Sequence, residues 1–178
     1  MDFRLCSRSI RSTAELCEKS GWHYWAGLEF DKLRDTGGIK RNADALHREG
    51  IEKHDNGKFL DEADLRHRIG DIQSETRALY MAGEYTEAAW RMYAQGTPGP
   101  EGLKFIRMCI DRCIESRQYA RAEGLLMMLG DHEKATAVHD DGSAAAARAA
   151  ERPEMMVQRD GPAGSYPDYK EYQVAEEK

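Results

Sequence analysis

Apolar side chains recur at every third or fourth position along most of this chain, which is the spacing of one face of an α-helix. One clear stripe is made by Tyr85, Ala88, Ala89, Met92 and Tyr93. Similar stripes run through residues 101–116 and 118–129, and no alternating strand pattern of useful length is present. Helices this short are not stable alone in water. The pattern therefore predicts an all-α fold in which amphipathic helices pack on one another.

Prolines and glycines indicate where these helices end. Residues 1–97 contain no proline, which favours a series of helices over that region. Asn56-Gly57 lies between charged helical stretches and predicts a turn between two helices. The apolar spacing continues from residue 58 to residue 82, so we expect one long helix over 58–82 with Gly70 inside it.

A short motif recurs at the predicted turns. It consists of a glycine, an aromatic or imidazole ring two positions later and an alanine five positions later, at residues 21–26, 83–88 and 130–135. Tyr119 and Ala122 fit the same pattern with Arg117 in the glycine place, and Phe59 follows Gly57 in the same way. Glycine permits the left-handed backbone that ends a helix, and alanine lets two helices approach each other. The motif predicts antiparallel helical hairpins.

The stretch from Ala78 to Ala88 resembles the junction between the two helices of a tetratricopeptide repeat. It is also similar to the degenerate helical hairpins of intraflagellar-transport and coat-type α-solenoids. The resemblance covers residues 70–140 well and residues 10–69 loosely. It implies a short right-handed stack of helical hairpins that serves as a protein-binding scaffold. The motifs are unevenly spaced, so an irregular helical bundle remains the alternative.

The composition changes along the chain and predicts three segments. Residues 1–140 form the helical-hairpin domain, and the alanine-rich segment 141–152 forms a further helix with capping residues at its start. Residues 153–178 contain proline, glycine and charge but few apolar residues, so they form an extended tail.

The charge of the chain excludes several kinds of partner. Lysines and arginines number 26 against 32 aspartates and glutamates, a net charge of −6, and no quarter of the chain is strongly basic. Nucleic acid is therefore not expected as a partner. No run of about 18 apolar residues predicts a membrane span.

The four cysteines are interpreted as reduced thiols, which places the protein in the cytoplasm or another reducing intracellular compartment. A targeting segment at the arginine- and serine-containing N-terminus is the less favoured alternative.

Two pairs of residues have the spacing of metal ligands on a helix. Asp44 and His47, like Asp64 and His67, lie three positions apart, which is half of a two-metal site in a helical bundle. This pattern supports a rival hypothesis, a metal- or ligand-binding enzyme that uses His47, His67 and nearby carboxylates. We prefer a protein without metal or cofactor and interpret two further candidate pairs as packing or surface residues, namely Cys109 with Cys113 and His132 with His139.

No motif for nucleophilic catalysis or phosphate binding is present in the sequence, so we do not expect an enzyme.

The aromatic residues indicate protein binding instead. Trp90 lies off the apolar stripe of its helix, and the tail tyrosines recur every third position. We predict that the chain is a scaffold subunit of a larger assembly, with a small inhibitor of a target protein as a further alternative. The predicted partner-binding residues are Trp22, Trp25, Phe30, Trp90, Tyr166, Tyr169 and Tyr172.

Overall fold

A computed structural model describes residues 3–150 of the protein, with side chains described over residues 7–147. Every regular element in that range is an α-helix, so the all-α prediction is confirmed. The helices are α1 (Phe3–Lys19), α2 (His23–Lys32), α3 (Thr36–Lys53), α4 (Asn56–Arg68), α5 (Ile72–Met81), α6 (Tyr85–Tyr93), α7 (Pro100–Glu115), α8 (Tyr119–Met128) and α9 (His132–Ala150).

Neighbouring helices pack in sequence. The chain divides into two compact units after Cys109, inside α7. In the first unit, each helix from α1 to α5 packs on the next, and α2 also contacts α4. In the second unit, α8 packs on α9. Short turns join these helices, so the packing is compatible with the predicted stack of helical hairpins.

The recurring turn motif ends helices as predicted. Gly21, Gly83 and Gly130 have φ angles of 76°, 86° and 76°. Arg117, which stands in the glycine place of its motif, also has a left-handed φ of 59°. Ala88, Ala122 and Ala135 of three of these motifs are buried. The small alanine side chain is therefore used where a second helix packs.

The turn predicted at Asn56-Gly57 lies slightly earlier in the chain. α3 ends at Lys53, and the left-handed residue is His54, with a φ of 52°. Asp55 caps α4, because its carboxylate accepts a hydrogen bond from the Gly57 amide at 2.9 Å. An aspartate is among the strongest N-terminal caps of a helix. Gly57 therefore belongs to the first turn of α4 and does not end α3.

The expectation of one long helix over residues 58–82 is wrong. Gly70 has a left-handed φ of 70° and separates α4 from α5. Asp71 caps α5 by accepting a hydrogen bond from the Ser74 amide at 3.3 Å. The apolar spacing continues across the break because each helix carries its own buried stripe. The Gly70-Asp71 pair, which matches Gly-Asp at residues 130–131, was the stronger signal.

The core of the first unit depends on close approaches between helices. Its main cluster consists of Ala14, Ala26, Phe30, Ile39, Ala43, Leu46 and Leu65. The Phe30 ring lies directly over Gly38, and a Leu65 methyl group lies 2.5 Å from where a Cβ on Gly27 would be. A side chain at either glycine would require Leu65 or Phe30 to move. α2 therefore approaches α3 and α4 closely, which fixes the orientation of its opposite, exposed face.

In the later part of the chain, α9 continues without a break through residues 141–150, which belong to the predicted alanine-rich segment. The predicted tail, residues 153–178, lies outside the described residues.

No described helix is long and apolar enough to cross a membrane. Cys109 and Cys113 are buried thiols, as expected for core residues, and Cys17 is free and half-buried.

Candidate functional site

Two of the three tryptophans lie on the outer side of α2. Trp22 precedes the first residue of the helix and is 63% exposed, and Trp25 is 61% exposed. The Trp25 ring meets the Tyr24 ring edge to face, with centroids 6.1 Å apart. Ala26 and Phe30 of the same helix are buried. α2 is therefore held by one side while it presents two large aromatic rings to solvent.

The neighbouring surface of α4 carries carboxylates. The Tyr24 hydroxyl donates a hydrogen bond to Asp64 Oδ2 at 3.1 Å. Arg68 joins the two helices, because its guanidinium lies 2.9 Å from both Asp64 and Asp31. Burial, and then the hydrogen bond to Asp64, raises the pKa of Tyr24. The hydroxyl therefore remains a proton donor to Asp64 at neutral pH.

Asp61 differs from the other carboxylates of this surface. It is half-buried, and within the described residues it makes no hydrogen bond and no ion pair. Burial, and then the charges of Asp55 and Asp64, raises the pKa of Asp61 although Lys58 opposes the shift. The Lys58 amino group itself pairs with Glu49 at 3.3 Å. Asp61 is thus a partly desolvated carboxylate without a direct cationic partner in the described part of the chain.

The third tryptophan lies on α6. Trp90 is 49% exposed, and Tyr93, three positions later, is exposed as well. Ala88 and Ala89 of the same helix are fully buried. The prediction that Trp90 points away from the buried stripe is confirmed. Arg91 pairs with Glu87 and Glu75, at 3.0 and 3.2 Å, beside this second aromatic surface.

The predicted binding residues thus have different environments. Phe30 is only 1% exposed and packs in the main core, so its assignment to a binding surface is corrected. The Phe30 ring is buried because it packs over Gly38 of α3. This contact between helices is not evident from the spacing of residues within α2. The predicted contact residues of the tail lie outside the described residues, namely Tyr166, Tyr169 and Tyr172.

The candidate metal ligands do not converge. Nδ1 of His47 lies 2.7 Å from Glu62, and Nδ1 of His67 lies 3.2 Å from Glu75. The aspartates three positions before these histidines pair with arginines instead. Among the described residues, no group of three or more histidines, cysteines, aspartates and glutamates is arranged to hold a metal ion. The rival enzyme hypothesis therefore stays a prediction, without a metal site among the described residues.

A buried polar network was missed by the sequence analysis. Arg66 of α4 reaches Asp44 of α3 at 2.5 Å, Glu62 of its own helix at 3.4 Å and the cap residue Asp71 at 3.4 Å. Glu62 also holds His47, as described above. Arg66 and Glu62 are both buried. A sequence signal exists in the four-residue spacing of Glu62 and Arg66, but that spacing is typical of exposed ion pairs too.

A second polar cluster joins the first three helices. Asn42 of α3 is fully buried, and its amide nitrogen donates to the Gly38 carbonyl at 2.9 Å and to Glu18 at 3.2 Å. The Asn42 side-chain oxygen lies 3.0 Å from Nδ1 of His23 in α2. These contacts fix how α1, α2 and α3 lie against one another, because a buried amide must find partners. They provide a rigid support behind the exposed tryptophans.

Comparison of the chain with protein-family models, with curated proteins and with solved structures finds no match.

Proposed function

We propose that this chain is a protein-interaction subunit of a larger assembly and that it binds partners through two aromatic surfaces. The first surface consists of Trp22 and Trp25 on α2, and the second consists of Trp90 and Tyr93 on α6. The observation that supports this proposal is the exposure of all three tryptophans on helices whose opposite sides are buried. An aromatic side chain of this size buries about 150–250 Å² when covered.

The energetics favour a binding role for these rings. Tryptophan is among the residues most enriched in the energetic centres of protein interfaces. Exposure of three such rings gives no stability to the isolated chain, whereas covering each one stabilises a complex by about 2 kcal/mol or more. The tail tyrosines Tyr166, Tyr169 and Tyr172 are part of the same proposal as further contact residues.

The stacked helices also support the more specific architecture implied by the resemblance. We propose that the hairpins form a degenerate tetratricopeptide-like solenoid of the intraflagellar-transport or coat type. Sequential packing of α1 to α6 and the repeated turn motif at residues 21–26 and 83–88 support this proposal. Cys109 and Cys113 are buried as thiols, and Cys17 is a half-buried free thiol, which supports a reducing compartment.

Affinity capture from the native host tests the binding role. Full-length protein is compared with a Trp22→Ala/Trp25→Ala double variant and with Trp90→Ala. We expect at least one of these variants to lose about 90% of a specific partner. Removing a tryptophan that contributes about 1.4 kcal/mol or more weakens binding at least tenfold.

The matched control is Met127→Ala, because Met127 is a large apolar residue as exposed as Trp90. This control should retain the partner. Equal capture by the wild-type protein and by both tryptophan variants would contradict the proposal. Circular dichroism of each variant confirms that the fold is retained, since an exposed side chain contributes little to stability.

A further inference from the structure

We propose that the surface formed by Trp22, Trp25 and Asp61 binds a partner peptide in which a lysine or arginine lies next to a large apolar residue. This inference rests on the proposed binding function and specifies the chemistry of one partner. We refer to these three residues as the α2–α4 surface. The proposal depends on the combination of exposed rings with one unpaired carboxylate.

The exposed rings offer two kinds of contact. The Trp25 ring makes an edge-to-face contact with Tyr24, and most of its surface remains accessible. Trp22 lies one helical turn earlier and provides a second apolar contact. An apolar side chain can cover these rings, and a cation can stack on the face of a tryptophan.

The existing ion pairs of this surface leave Asp61 as the carboxylate with which a partner's cation can pair. Arg68 already pairs with Asp64 and Asp31, and Lys32 pairs with Glu29. Asp61 alone among these carboxylates lacks such a pair within the described residues. A cationic side chain from a partner can therefore pair with Asp61 without breaking an existing contact. It also relieves repulsion between Asp61 and Asp64.

The unpaired carboxylate is linked to the rings through Asp64 and Tyr24. Asp61 and Asp64 lie one turn apart on α4, and Asp64 is bonded to the Tyr24 hydroxyl. The Asp61 charge also acts electrostatically on Tyr24, whose ring contacts Trp25. A side chain as long as lysine or arginine combines a charged end with an apolar stem, which matches this arrangement.

Charge also argues against anionic partners at this surface. Asp61 and Asp64 would repel phosphates of nucleic acid or of an anionic membrane, and the whole chain carries a net charge of −6. Tryptophans also occur at membrane interfaces, so vesicle binding is a necessary arm of the test.

The test is a phage selection of random peptides on the full-length protein. We expect the selected peptides to be enriched in lysine or arginine next to leucine, phenylalanine, tryptophan or tyrosine. The most enriched peptide is then synthesised, and its Kd is measured for variants. Trp25→Ala should weaken binding about tenfold, and Asp61→Asn about threefold to tenfold, with a smaller effect at high salt.

Two control variants separate this surface from others. Asp111→Asn removes an exposed aspartate elsewhere in the chain, and it should leave the Kd unchanged. Trp90→Ala should also leave the Kd unchanged.

Asp61→Asn should raise Tm by about 2 °C while it weakens binding, because it removes a partly desolvated and repelled charge. A gain in stability with a loss of binding is not the result of misfolding.

Several outcomes would overturn the inference. These are selection of neutral or acidic peptides, failure to select any peptide, an unchanged Kd in Asp61→Asn, or binding of the protein to phosphatidylserine vesicles through Trp25. If the peptide instead depends on Trp90, the inference fails and the proposed binding function stands. The host capture experiment judges that function independently.

Discussion

Single residues determine where several helices end and how one histidine titrates. The left-handed positions include Arg34, His54 and Arg117, none of which is glycine. A residue with a side chain pays about 1–2 kcal/mol for this conformation, so the surrounding helices must hold it in place. The glycine motif therefore locates turns without being required at every one. A contact between two side chains likewise sets the pKa of His139.

We predict that Glu123 controls the titration of His139. A hydrogen bond from His139 Nδ1 to Glu123 at 3.1 Å, and then the carboxylate charge, raises the pKa of this imidazole. Because the folded-state pKa is raised, the contact stabilises the fold fully below the ordinary histidine pKa. That stability is lost as pH rises through the folded-state pKa. Glu123→Ala should lower the His139 pKa in an NMR titration.

The matched control for His139 is Glu133→Ala, which removes an acidic residue from the start of α9. It should leave the His139 titration close to that of the wild type. The stability difference between wild type and Glu123→Ala should be present at about pH 5, below the ordinary histidine pKa, and absent at about pH 9, well above it. An unchanged His139 pKa in Glu123→Ala would contradict the assigned contact.

At the scale of elements, helix pairs are defined by small residues that permit close contact. The pattern of apolar residues predicted α6, α7 and α8, because their 3.6-residue periodicity is a local property. It could not identify which glycines lie under a neighbouring side chain. Gly37 and Gly38 are adjacent in α3, yet only Gly38 lies beneath Phe30. That distinction depends on α2, which packs from elsewhere in the chain.

We predict opposite effects from alanine at these two positions. Gly38→Ala forces a Cβ into the Phe30 ring and should lower the free energy of unfolding by about 1–3 kcal/mol. Gly37→Ala meets only ordinary contacts, 3.5 Å from Asp35 and 3.9 Å from Arg41. It should raise stability by about 0.5 kcal/mol through helix propensity. Urea denaturation measures both, and equal effects would show that α2 and α3 are farther apart.

At the scale of the whole molecule, the first unit is held together by a hydrophobic core and by buried polar groups that link successive helices. Arg66 connects α3, α4 and the cap of α5, and Glu62 links Arg66 to His47. Such contacts add specificity to the order of the stack, because an unpaired buried charge is costly. These contacts between helices would hold the proposed docking surface on α2 in place.

We predict that Glu62→Ala lowers the free energy of unfolding by about 3 kcal/mol, because it leaves buried Arg66 with fewer partners. A Glu62→Met/Arg66→Met double variant should be less unstable than the sum of the two single variants, because both members of the pair are removed. Glu87→Ala breaks only a surface pair with Arg91 and should cost about 0.5 kcal/mol or less. Additive effects of the Glu62 and Arg66 substitutions in urea denaturation would contradict the coupling.

The sequence by itself determined the helical class, the positions of most turns and the outward direction of Trp90, because periodicity and turn residues act within a few positions of the chain. Tertiary structure alone decided that Phe30 is buried and that Arg66 is an internal residue. Burial and pairing depend on side chains from other helices. Residues that look equivalent within one helix, such as Trp25 and Phe30, therefore acquire different roles only when the helices pack.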